Sequence, residues 1–267
     1  MPLINLGISN HTLWIAEGGR GLDTAFVYGD DAQKETGEAV RASSLPRSEL
    51  FVTTKVPCCP AKRWESFVGG EGICDQLGSN TSAQIEHDLN TLGLEYVDLM
   101  LLHWPCDSLE ETLQTYRVME SMVSRGTARA IGISNFNATM TEALVREANV
   151  KPVINQCGFS IGGHTSPEWG RDDATVSTCK RLGIHFEAYS PLGGWARNGT
   201  GHILDDPTVK AIATSHKKSA AQVALKWLLQ QDIIVVTASN EKAYDDSDLD
   251  LWDFMLTSEE QERLSAL

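Results

Sequence analysis

The stretch VDLMLLHWPCDSLEETLQTYRVMESMVSRGTARAIGIS (97–134) decides the fold of this 267-residue chain. It opens on a run, 97–103, that is apolar almost throughout instead of alternating, the pattern of a strand covered on both faces. Ser108 then precedes an amphipathic stretch that ends at Gly126, so a capping hydroxyl and a helix-ending glycine bracket a helix. A second branched run, 128–134, follows at once. Strand, helix and strand in that order make a parallel crossover unit, which turns right-handed.

The same alternation extends in both directions. Further strand candidates lie at 3–8, 21–25, 50–55, 152–156, 184–190 and 233–238, with helical patterns between them, one of which has Ser82 as its candidate N-cap. With 97–103 and 128–134 they predict a (β/α)8 barrel. An open doubly wound sheet fits less well, because the first strand-helix junctions carry no G-x-G-x-x-G. No linker or repeat divides the chain, so a single domain over 1–267 is expected. Two segments break the rhythm, 56–81 and 191–206; both follow strands, which puts them over the C-terminal mouth of the barrel.

A formal charge of −14 opposes broad nucleic-acid or anionic-membrane surfaces, and no partner chain is implied. No apolar run approaches the roughly 18 residues of a membrane span and the N-terminus has no signal-peptide pattern, so a cytoplasmic location is expected. The six cysteines form no zinc framework and are expected as free thiols; a metal or redox role for Cys58, Cys59 and Cys74, which share the first irregular segment, stays open.

Polar residues gather at the ends of three adjacent strand candidates. Asp23 and Tyr28 follow the second, Lys55 closes the third and His103 the fourth. Each has an ordinary explanation alone: a turn cap, a packed phenol, a snorkelling amine, a satisfied core histidine. Together they fit one task. A phenol of reference pKa about 10 donates poorly at neutral pH unless a cation stands beside it. Lys55 supplies that cation, Asp23 orients Lys55, and His103 holds a substrate oxygen near Tyr28. None of the four is an obvious electron source, which points to a bound hydride donor.

At this point the chain resembles the aldo-keto reductases, through GLDTAFVYGDDAQ, LFVTTKV, LGLEYVDLMLLHWP, ARAIGISNFN, INQ, GIHFEAYSPLGG and the terminal DLWDFMLTSEEQERL. The resemblance implies a catalytic tetrad of Asp23, Tyr28, Lys55 and His103, and a nicotinamide cofactor across the barrel mouth. It implies carboxamide contacts from Ser134, Asn135 and Gln156, ring stacking on Tyr189, and pyrophosphate contacts at Ser190 and Leu192. Ser239 and Asn240 match further cofactor positions; Trp104 matches a wall of the substrate pocket, which Trp64 and Trp195 are placed to extend. The implied reaction is reduction of an aldehyde or ketone, a small-molecule carbonyl substrate, with no metal. The alternative is a cofactor-binding barrel with a regulatory or scaffolding role.

The sequence departs from the family after the last strand, where TASNEKAYDDSDLD (237–250) has Lys242 as its only base. The resemblance favours NADP(H), while this acidic segment weakens attraction for a 2′-phosphate and leaves NAD(H) open. Gly7, Ile8 and Ser9 stand where the family commonly has Gly-Thr-Trp, and the short N-terminal segment implies a thinly covered barrel floor.

Overall fold

A computed structural model describes residues 1–68, 72–193 and 203–267. Ten strands occur among them: β1 (Ile4–Leu6), β2 (Gly21–Asp23), β3 (Phe51–Val56), β4 (Val97–Leu102), β5 (Ala128–Ser134), β6 (Ile154–Gly158), β7 (Thr165–Ser166), β8 (Arg171–Asp172), β9 (His185–Tyr189) and β10 (Ile234–Thr237). Eight of these close a parallel barrel in the order β1-β10-β9-β6-β5-β4-β3-β2, while β7 and β8 pair as a separate antiparallel ribbon. All eight expected strands are present within a few residues of their expected ends, and the (β/α)8 barrel stands.

The helix expected after β4 spans Leu109–Arg125. Ser108 and Glu111 form a reciprocal capping box at its start, and Gly126 ends it at φ 74°, a conformation that glycine adopts without strain. The following expectation needs correction: Ser82 lies inside the helix Thr81–Leu92, and the cap is Asn80, whose side chain accepts from the Ala83 N–H.

Side chains alternate across each strand, so every second residue enters the barrel. Leu99, Leu101, Ile154 and Ile234 pack with Phe51 and Ala130 as an apolar plug. The next inward positions are polar: Asn5, Asp23, Lys55, Gln156 and Glu187 hydrogen-bond to one another. Gly21 makes room for this layer, since a Cβ there would overlap the Asn5 side-chain amide. Larger apolar clusters lie outside the barrel between strands and helices and fix the strand ends against the helical ring. At the opposite end an apolar cleft of about 560 Å³, lined by residues including Leu3, Phe186 and Ile233, agrees with the thin floor expected. No described helix is long and apolar enough to cross a membrane.

Candidate active site

The C-terminal mouth holds a cavity of about 470 Å³ whose lining includes Asp23, Tyr28, Trp64, Ile73, His103 and Trp104 on one side and Ser134, Asn135, Gln156, Tyr189 and Ser190 on the other. Registers of the parallel strands bring these ends together: Asp23 sits opposite Thr53, Lys55 opposite Leu101, and Ser134 opposite Gln156. After β2 the chain passes through extended Ala25 into one 3-10 turn, Phe26–Tyr28, which folds the phenol back over the mouth.

Lys55, 1% exposed, donates to Asp23 Oδ1 and to the Thr24 carbonyl at 2.9 Å. Its Nζ stands 5.2 Å from the centroid of the Tyr28 ring. The sequence-based reading required this proximity. Tyr28 is 37% exposed as a whole, because its ring borders the open mouth while its hydroxyl end is buried toward Lys55. The His103 ring meets it edge-on at 5.8 Å and leans on Trp104 at 4.8 Å.

The opposite wall is a hydrogen-bonded chain. Ser134 Oγ donates to the Gln156 carbonyl at 2.7 Å. Asn135, held at φ 65°, donates from Nδ2 to the His103 carbonyl and to Ser134 Oγ, both at 2.9 Å. Its Oδ1 accepts from the Tyr189 hydroxyl at 2.8 Å, and that hydroxyl accepts from Arg171 Nη2 at 2.8 Å. Arg171 comes from β8 and was not singled out by the sequence. A glycine at 158 admits it: a Cβ there would sit 3.0 Å from Arg171 Nε and 3.1 Å from the Tyr189 ring.

Not every expected position reaches the cavity. Leu192 packs against the outer apolar cluster around β9. Ser239 folds onto its own turn, donating to the Glu241 carbonyl at 3.1 Å and accepting from the Glu241 N–H at 3.0 Å. Asn240 accepts from the Asn10 N–H at 3.0 Å and borders a neighbouring cleft with Ile8, Glu35 and Glu38. Trp64 does line the cavity, stacked on Trp104 at 5.3 Å, whereas Trp195 lies outside the described residues.

The cysteine expectation is overturned. Cys58 is bonded to Cys106 and Cys59 to Cys74, leaving Cys157 and Cys179 as buried free thiols. The first bridge ties the segment after β3 to the segment after β4, and the Cys58 carbonyl accepts from Trp104 Nε1 at 2.7 Å. The second anchors the turn that carries Ile73. Sulfurs joined to one another are not free to ligate a metal, and among the described residues no cluster of His, Cys, Asp and Glu is arranged to hold one.

Comparison with known proteins agrees with this geometry. The Aldo/keto reductase family profile matches residues 11–267. The chain belongs to the aldo/keto reductase family. Morphine 6-dehydrogenase of Pseudomonas putida is 34% identical over 100% of this chain and 88% of the relative. Glyoxal reductase of Bacillus subtilis is 33% identical over 95% of this chain and 80% of the relative. Among solved structures, the Bombyx mori aldo-keto reductase in complex with NADP superposes with a TM-score of 0.79 at 30% identity, covering 100% of this chain and 89% of that one. Membership makes the chain an oxidoreductase that acts on carbonyl compounds.

In this aldo-keto reductase, burial drives the electrostatics of the mouth. Burial holds the His103 imidazole well below its usual pKa, and the Lys55 charge lowers it further. Burial also opposes the charge on Lys55, but Asp23 and Tyr28 outweigh it and the ammonium is held above its usual range. For Tyr28, burial raises the phenol, Lys55 lowers it and Asp23 raises it, with a net rise. Lys55 lowers the phenol, as the sequence-based reading expects, but against a larger rise that burial imposes. The polar side chains of Ser134, Asn135 and Gln156 and the Tyr189 ring around one cavity fit the nicotinamide end of a dinucleotide, with oxygens left to accept from a carboxamide and a ring face to stack on. After β10 the fit to a 2′-phosphate is poorer, because Lys242 is paired with both Glu17 and Asp246.

Proposed function

We propose that this aldo-keto reductase reduces aldehydes or ketones to alcohols, with Tyr28 as proton donor, Lys55 and Asp23 setting its charge environment and His103 orienting the carbonyl. The observation that carries this reading is the buried Lys55 ammonium, bonded to Asp23 and set beneath the ring of Tyr28, which lines one cavity with Asp23 and His103. A reduced nicotinamide, when bound, supplies the hydride. Ser134, Asn135, Gln156 and Tyr189 hold its ring end and Ser190, which lines the same cavity, meets the pyrophosphate; Leu192, Ser239 and Asn240, outside that cavity, are proposed for the remainder of the cofactor on the family resemblance alone. We favour NADP(H), in line with the NADP-bound relative, with NAD(H) accepted because Lys242 is already neutralised.

At neutral pH Tyr28 holds its proton, which is the form a reduction needs. His103 is neutral, and its Nδ1 is buried without a hydrogen-bond partner among the described residues. A buried lone pair is tolerated better than a buried N–H without an acceptor, so the ring proton belongs on Nε2, where it serves a substrate oxygen. Among the described residues the cavity lining contains no lysine or arginine but has Val27, Trp64, Ile73 and Trp104, which suits a neutral apolar or aromatic carbonyl. The whole cavity sits on one barrel, and one domain suffices for the activity.

Tyr28→Phe tests the assignment. It removes only the hydroxyl, so cofactor affinity measured by fluorescence titration stays within about twofold of wild type while kcat falls by about 100-fold or more. Wild-type turnover in that variant would overturn the role given to Tyr28.

A further inference from the structure

Beneath the tetrad lies a second buried carboxylate. Glu187, on β9, is 1% exposed and faces Gln156 of β6 in register. Its Oε1 accepts from Asn5 Nδ2 at 2.9 Å and its Oε2 from Gln156 Nε2 at 2.8 Å. The same Gln156 nitrogen donates to Asp23 Oδ2 at 2.8 Å, and the other oxygen of Asp23 takes the Lys55 ammonium. An amide nitrogen has two hydrogens, and here both are held by carboxylates. The Gln156 amide therefore cannot turn over without facing its oxygen toward two acceptors.

We propose that Glu187 is a positioning residue for the reaction: through Gln156 and Asp23 it fixes the amide at the cofactor wall, and its charge state controls the Asp23–Lys55–Tyr28 relay. This rests on the reading of the site given above. The groups facing Glu187 account for the control. β1 contributes Asn5, β2 Asp23, β3 Lys55 and β6 Gln156; β10 meets it with uncharged Ile234. Tyr28 lies beyond Lys55, and His11 faces the same Asp23 and Lys55 from the first helix. Two carboxylates thus share one ammonium. Burial, then repulsion from Asp23, pushes Glu187 up to about 7, against the pull of Gln156, Lys55 and Asn5. Below that pH the buried trio of Glu187, Asp23 and Lys55 is neutral, and above it carries one extra negative charge. That charge steadies the ammonium and holds the proton on Tyr28, delaying formation of the phenolate that alcohol oxidation requires.

The test uses the full chain in two measurements. In cofactor-free protein, ultraviolet absorbance of tyrosine ionisation, taken as the difference from the matching Tyr28→Phe protein, gives the midpoint of Tyr28. Glu187→Gln lowers it by roughly half a pH unit or more; an unchanged or raised midpoint overturns the proposal. In oxidation of a neutral aromatic alcohol, the pH profile of kcat has an inflection near 7 in wild type that is absent in Glu187→Gln and kept in Glu187→Asp. A wild-type profile in Glu187→Gln also overturns it. Should Glu187→Gln fail to fold, Asn5→Ala keeps the carboxylate and removes one donor to it, so the inflection moves to higher pH; a fixed inflection counts against the role. If Tyr28→Phe retains full turnover, the functional reading itself has failed. An inactive Tyr28→Phe beside an unaltered Glu187→Gln profile condemns only the role of Glu187.

Discussion

Lys242 shows how one side chain can be present yet unavailable. Its ammonium is bonded to Glu17 at the end of the first helix and to Asp246 four residues along its own helix, and these pairs raise its pKa. A 2′-phosphate arriving after β10 must compete with two carboxylates already in place. Lys242→Ala is therefore expected to change the NADP(H) dissociation constant by less than about threefold, because an exposed ammonium already held by two carboxylates has little attraction left for a phosphate. Glu17→Gln, which frees one bond, tightens NADP(H) and leaves NAD(H) unchanged; isothermal titration of both cofactors against both variants checks this. At this scale the sequence was legible where a residue ends a strand. Asp23, Tyr28, Lys55 and His103 could be aligned at one rim because strand ends are countable from the apolar runs. Glu187 and Arg171 could not. A glutamate inside IHFEAYS reads equally well as facing inward or outward, and its partner Asn5 lies 182 residues away. Arg171 sits on a two-residue strand with no periodicity to read.

Among the elements, the segment after β3 is where sequence and structure diverge most. Instead of an irregular loop it contains the helices Lys62–Val68 and Ile73–Leu77, with the second fixed by the Cys59–Cys74 bridge and by Glu65 Oε1 accepting from the Cys74 N–H at 2.6 Å. Which cysteines pair depends on where two strand ends bring distant segments together, and spacing alone leaves several connectivities. The bridges have a local purpose: they hold Trp64, Ile73 and Trp104 as one wall of the cavity. Replacing Cys59 and Cys74 by serine releases a loop of sequence separation 15. In the chain-entropy account this lowers unfolding free energy by about 3 kcal/mol. The wall loosens with it, so KM for a bulky aromatic aldehyde rises by about threefold or more, while the dissociation constant for cofactor, proposed to bind at the opposite wall, is unchanged. Urea denaturation and steady-state kinetics measure the two effects separately. A rise in cofactor dissociation constant equal to the rise in KM would place the damage in the barrel itself.

On the scale of the whole molecule, eight apolar runs separated by amphipathic stretches left little choice of architecture, since parallel strands covered on both faces must close or be capped. Charge is harder to read along the sequence, because burial is what changes it. Asp88 looks like an ordinary helix-surface acid, yet it is fully buried where the helix Thr81–Leu92 meets the helix Asp30–Ala42 and β3. It accepts from Gln33 Nε2 and, at 2.8 Å, from Thr54 Oγ1. Burial pushes it up to about 7, with Thr54 and Gln33 pulling against that rise. The native protein thus keeps a proton on Asp88 that the unfolded chain, with its carboxyl near 3.8, releases. Stability from this group is present below pH 3.8 and is lost progressively as pH rises to about 7. Asp88→Asn has no proton to lose. Relative to wild type, the variant should gain about 2 kcal/mol in unfolding free energy between pH 5 and pH 8, whatever constant offset the changed hydrogen bonds introduce. The buried histidines His11 and His103 titrate identically in both proteins and cancel from that difference. Denaturant unfolding of the pair at several pH values measures it directly, and parallel curves would show that Asp88 is ionised in the folded barrel.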